Sequence, residues 1–147
     1  MPLQPSFLVY NSGTLTNVTG NGTIYTVAFN TEVYDTNGDY DTSTYQFTAP
    51  VTGKYLFTAG VQLDSIDATI TEGWIAIDTS NRGYISCRSN FGPIRFSVSY
   101  QVTATAIADM DAGDVAVVKV YVSQGSGKVV DIPSSLGIIN FAGILIG

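Results

Sequence analysis

YQFTAPVTGKYLFTAGVQL, residues 45–63, is the stretch whose reading decides the fold. It reads as a short strand, a tight turn at Pro50-Val51-Thr52-Gly53, and a long strand. Side chains alternate along a strand, so Tyr55, Phe57, Ala59, Val61 and Leu63 share one face. The opposite face carries Leu56, Thr58 and Gly60 before turning polar at Gln62 and Asp64. A strand with one wet face would place polar residues across from Tyr55 and Phe57, and the first half of this one does not. Small and apolar residues on both faces imply burial on both. One side is then the domain's own core. The other needs a second sheet or a second copy of the chain.

Outside this stretch the chain reads as one β-domain. Its 147 residues suffice for a single core. Hydrophobic residues make up 45% of the chain. Charged residues make up only 12%, about half the usual share, so Thr, Ser, Asn and Gly must cover the surface. A net charge of −6 argues against nucleic acid and against an anionic membrane as partners. No apolar run approaches a membrane span, and no N-terminal signal peptide is visible. Residues 1–5, MPLQP, read as a linker or the end of a stalk, and residues 6–147 as the domain. The single cysteine, Cys87, rules out an internal disulfide framework and is expected to be a small buried core residue.

Strands are expected at 6–10, 24–29, 72–78, 84–88, 96–108, 115–122, 129–132 and 138–146, with 11–22 and 34–44 as turn-rich loops. No segment reads as an amphipathic helix of useful length. Many short β segments with regular turns imply a sandwich. Strand 115–122 is also apolar on both faces, with Val115 and Val117 opposed to Ala116, Val118, Val120 and Val122. Trp74, in mid-strand, is expected in the core or between sheets.

The order and spacing of Phe29, Asp35, Tyr40, Phe47, Gly53, Tyr55 and Phe57 resemble the signature of the C1q-like domain, the globular head related to the tumour necrosis factor fold. The ending FAGILIG, residues 141–147, is similar to that family's last strand. Ala59 departs from the pattern, which usually has another aromatic there. The resemblance covers nearly the whole chain. It implies an all-β jelly-roll sandwich of about ten strands, assembled as a homotrimer. Carried over position by position, it directs Tyr55, Phe57, Phe141 and Ile144 to the core. Leu56, Thr58, Thr103, Thr105, Ile107 and Leu145 then fall at the threefold interface, and none of them is a carboxylate.

The chemistry available is narrow. With no histidine and one cysteine, Ser-His-Asp and Cys-His catalysis are excluded, as are His-ligated metal sites. Twelve acidic residues leave a glycosidase pair formally open without singling out any two. No enzyme activity and no cofactor is assigned. Loop 35–41, DTNGDYD, offers oxygen ligands at alternate positions as a calcium loop does. It lacks a closing bidentate Glu, and Asp and Asn are ordinary turn residues, so calcium stays an alternative reading. Asn17-Val18-Thr19 and Asn21-Gly22-Thr23 match the glycosylation acceptor pattern.

Successive strands run in opposite directions, so turn 50–53 lies at one end and loops 65–71, 89–94 and 123–137 at the other. In C1q-like heads both termini sit on the stalk side, which makes the second group the free tip. Its ligand candidates are Asp67, Asn90, Phe91, Arg95, Gln124 and Lys128. Phe91 reads either as an exposed aromatic for a sugar ring or protein surface, or as a plug into the core. The low charge and the Thr/Asn/Gly surface look most like the C1q-like tips of bacteriophage fibres. The expected role is a non-enzymatic trimeric head on a virion surface, binding a host-surface glycan or protein, with no membrane insertion. The alternatives are a capping module that registers a fibre and binds nothing, and a secreted extracellular adhesion or immune head.

Overall fold

The computed structural model describes residues 4–92, 97–125 and 127–147. Among them there are thirteen strands and no helix. The strands are β1 Ser6–Tyr10, β2 Leu15–Thr19, β3 Asn21–Thr26, β4 Thr31–Asp35, β5 Tyr40–Asp41, β6 Gln46–Thr48 and β7 Gly53–Ile66. They continue with β8 Glu72–Thr79, β9 Gly83–Ser89, β10 Val98–Met110, β11 Val115–Ser123, β12 Val130–Ile132 and β13 Asn140–Leu145. Three of them, β5, β6 and β12, are two or three residues long, which is why the count exceeds the roughly ten strands expected.

A larger sheet runs β2-β12-β7-β13-β1-β4, with β10 along the other edge of β7. A smaller sheet runs β5-β6-β11-β8-β9. Strand β3 lies against β11, tied by the Gly20 N–H to the Val122 carbonyl (3.2 Å) and the Val27 N–H to the Val118 carbonyl (2.8 Å). The two sheets face each other across a core of aliphatic and aromatic side chains, the jelly-roll sandwich that the family resemblance implied.

The core is aromatic where β7 leaves its turn. Phe7, Phe47, Tyr55, Phe57 and Phe141 are buried together, with ring centroids 4.9 Å apart for Phe7–Phe47 and Phe7–Phe141. Tyr40 closes the cluster by donating its hydroxyl to the Phe29 carbonyl at 2.9 Å. These rings explain the spacing on which the family resemblance rests. Gly53 belongs to it for a different reason: a Cβ there would lie 2.8 Å from Leu145 Cδ1, where the last strand crosses. Ala59 is buried directly across from Phe141, whose ring supplies bulk beside the missing aromatic.

Several expectations are corrected. Residues 15–19 are a strand within a stretch read as a loop, 31–35 are a strand that runs into the loop read at 34–44, and residues 40–41 form a short strand inside that loop. In β2, Asn17 takes a left-handed φ of 54°, which breaks the alternation a sequence reader looks for. Cys87 is exposed rather than buried. Strand β9 is the edge of the smaller sheet, and Ile85, which shares the alternation of Cys87, is exposed as well; Cys87 itself sits at φ 55° in a bulge opposite Gly73–Ile75. Trp74 is half-buried on the outer side of the smaller sheet, since its neighbours Ile75 and Ile77 take the inward positions. Strand β11 belongs to the smaller sheet too, so its two apolar faces are not part of the face that β7 presents.

Candidate functional site

The outward face of the larger sheet is built in rows across β10, β7 and β13. Ile107, Leu56 and Ile144 form the first row, and Thr105, Thr58 and Ala142 the second. Thr103, Gly60 and Asn140 form the third. Beyond it the face becomes polar: Gln101 opposes Gln62, and Asp64 accepts hydrogen bonds from the Gln62 amide (2.7 Å) and the Ser99 hydroxyl (2.6 Å). Ile107 is 60% exposed, Tyr34 47% and Ile144 39%, although all are large and apolar. Beside this edge lies a groove of about 310 Å³ lined by Ser6, Tyr34, Leu56, Thr58, Ala142, Gly143 and Ile144.

Five interface candidates, Leu56, Thr58, Thr103, Thr105 and Ile107, point out of this one face. Leu145 does not. It pairs with Tyr55 and packs on the core, while Ile144 pairs with Leu56 and turns outward. Phe141 and Ile144 stand three apart in one strand and cannot share a side. The assignments of Ile144 and Leu145 are therefore exchanged. Tyr34, the other large exposed side chain here, escaped the sequence because its strand had been read as a loop.

Both termini lie at one end. The Leu145 N–H donates to the Pro5 carbonyl (3.0 Å) and the Lys54 N–H to the Gly147 carbonyl (2.7 Å). The opposite end gathers the loops after β7, β9 and β11. Of the tip candidates, Asn90 and Lys128 are exposed and Asp67 is half-buried. Gln124 is only 4% exposed and acts as a strut: its side-chain oxygen accepts from the Asp67 N–H (3.1 Å), and its amide donates to the Ser65 carbonyl (2.7 Å). Phe91 is the plug rather than the free aromatic. Its ring stacks on Tyr100 with centroids 4.9 Å apart, and a Cβ at Gly73 would come within 2.6 Å of it. The absent side chain at Gly73, the second residue of β8, is the sequence signal for that slot. Arg95 lies outside the described residues.

The acidic loop is shaped by its own carboxylates. Asp35 accepts the N–H groups of Asp39 (3.1 Å) and Tyr40 (2.9 Å), and the Asn37 amide donates to Asp39 (3.0 Å). Burial pushes the Asp39 carboxyl above its usual range. The Ser43 hydroxyl and amide, both donating to Asp41, hold that carboxyl below it. The oxygens that a calcium reading needs are thus engaged within the turn. Among the described residues, no three acidic or cysteine side chains are placed to hold a metal ion.

Comparison with known proteins agrees with this architecture. The model of the C1q domain matches residues 9–146. The globular domain of zebrafish complement 1qA protein is similar in structure, with a TM-score of 0.60 and 20% identity over 99% of this chain and 98% of that one. Murine APRIL at pH 8.5 aligns with a TM-score of 0.60 and 13% identity, over 98% of this chain and all of the other. The Eiger TNF of S. frugiperda gives 0.62 and 11%, over 99% and 92%. Among curated proteins, none matches the sequence.

Proposed function

The chain belongs to the C1q domain family, and from that premise we propose that it is the trimeric recognition head of a virion fibre, binding a host-surface glycan or protein through the loops of its distal end. The observation that carries the trimer is the graded face of the larger sheet. Ile107, the most exposed large apolar residue, stands on one edge strand, and the groove beside Tyr34, Leu56 and Ile144 lies towards the other edge. Two unlike patches on one subunit suit a head-to-tail interface, which forms a three-membered ring when each step turns by a third of a circle. The polar rows nearer the tip then meet at the free end of the axis.

The recognition role rests on the rigid scaffold and on the termini lying together at the far end, which leaves the tip loops free. Asn90 and Lys128 are its exposed contacts, and threefold repetition strengthens weak single sites. A fibre source fits the low charge and the Thr/Asn/Gly-rich surface. The capping module is a second reading, favoured by the internal engagement of Gln124 and Phe91.

Binding to host cells separates the two. Fluorescently labelled trimer is expected to decorate susceptible cells, and the double substitution Asn90→Ala, Lys128→Ala is expected to remove the signal while the trimer persists. Trimer that ignores every host surface tested would favour the cap.

A further inference from the structure

The outer face of the smaller sheet carries a feature that neither the trimer nor the tip uses. Trp74 on β8 and Tyr121 on β11 are direct cross-strand partners, and their rings stack with centroids 5.3 Å apart and planes 8° from parallel. Both are only half-buried, on a side of the sheet opposite the core. Ion pairs bound the stack at both ends of the strand. Lys119 pairs with Asp78 at 2.6 Å on one side, and Arg88 pairs with Glu72 on the other. Gly22, at a left-handed φ of 84°, lies beside the Tyr121 hydroxyl at the edge of the pair.

The geometry points to a saccharide subsite on this face, separate from the tip. A pyranose ring has an apolar C–H face and a rim of hydroxyls that both donate and accept. The face that each stacked ring turns away from its partner matches the apolar face of the sugar, and the flanking ion pairs match the rim in both senses. A protein partner suits the strip poorly, because a stable interface needs about 800 Å² per side and this aromatic patch is two rings wide between charges. The inference does not rest on the distal-loop reading and survives its failure.

Trp74 is the chain's one tryptophan, so its fluorescence reports this face and no other. The wild-type protein is titrated with lactose, cellobiose, maltose and chitobiose, and with sorbitol as an acyclic polyol. At least one disaccharide is expected to shift the emission saturably, with a dissociation constant on the order of 1 mM. Tyr121→Ala is expected to weaken it about tenfold, with circular dichroism and oligomeric state unchanged. Lys119→Gln, which leaves the stack intact, is expected to weaken it as well, and Asn90→Ala to leave it unchanged. An emission unmoved by every disaccharide, moved equally by sorbitol, or unaffected by both Tyr121→Ala and Lys119→Gln overturns the inference.

Discussion

Tyr40 shows how much one buried hydroxyl decides. Its ring fills the core beside Phe7 and Phe141, and its hydroxyl meets the Phe29 carbonyl. Burial, reinforced by the negative charge that Tyr45, Asp41 and Glu32 bring close, raises its ionisation well above the ordinary value of 10.0. The folded state therefore holds the proton more tightly than the unfolded chain does. The resulting stability is fully present below the ordinary tyrosine value and is lost as pH rises through the window above it. Tyr25 and Tyr55 are shifted in the same direction, again chiefly by burial. Stability should fall steeply above about pH 10. Tyr40→Phe should cost about 1 kcal/mol at neutral pH and make that alkaline decline shallower, as read by urea unfolding at a series of pH values. An identical decline in the variant would contradict the assignment.

At the scale of elements, the contact between β7 and β13 holds the aromatic core against the middle of the larger sheet. Gly143 lies there between two rings: an added Cβ would stand 2.6 Å from Phe7 and 2.7 Å from Phe57. Both rings are fixed within the stacked cluster, so they have little room to yield. Gly143→Ala should destabilise by about 1–3 kcal/mol, seen as a lowered urea midpoint at equal protein concentration with an unchanged slope. This element was legible in advance, because the alternation of β7 and the spacing from Phe29 to Phe57 state the core directly. What stayed illegible is local and has common causes. A left-handed residue at Asn17 hid β2, and Cys87 follows the apolar Ile85 to the exposed side of an edge strand. The order of strands within the sheets depends on long-range pairing, so the two apolar faces of 115–122 did not reveal that β11 lies in the smaller sheet. At the tip, the sequence brought the right loops together. It could not say that Gln124 turns inward or that Phe91 finds the slot left by Gly73.

For the whole molecule, the apolar row Ile107–Leu56–Ile144 faces outward from a subunit whose core is already filled. A single chain would leave that row in water, at a loss of about 25 cal/mol for every Å² left uncovered. Assembly about the proposed threefold axis would cover it without burying a carboxylate in the apolar rows. Ile107→Asp places a charge in that apolar row and should yield monomers that keep the β-sheet circular dichroism of the wild type. The most direct measurement is the solution mass of the unaltered protein by sedimentation equilibrium at low micromolar concentration. The account predicts three times the 15.6 kDa of one chain. A mass equal to one chain, with Ile107, Leu56 and Ile144 left in solvent, would contradict it.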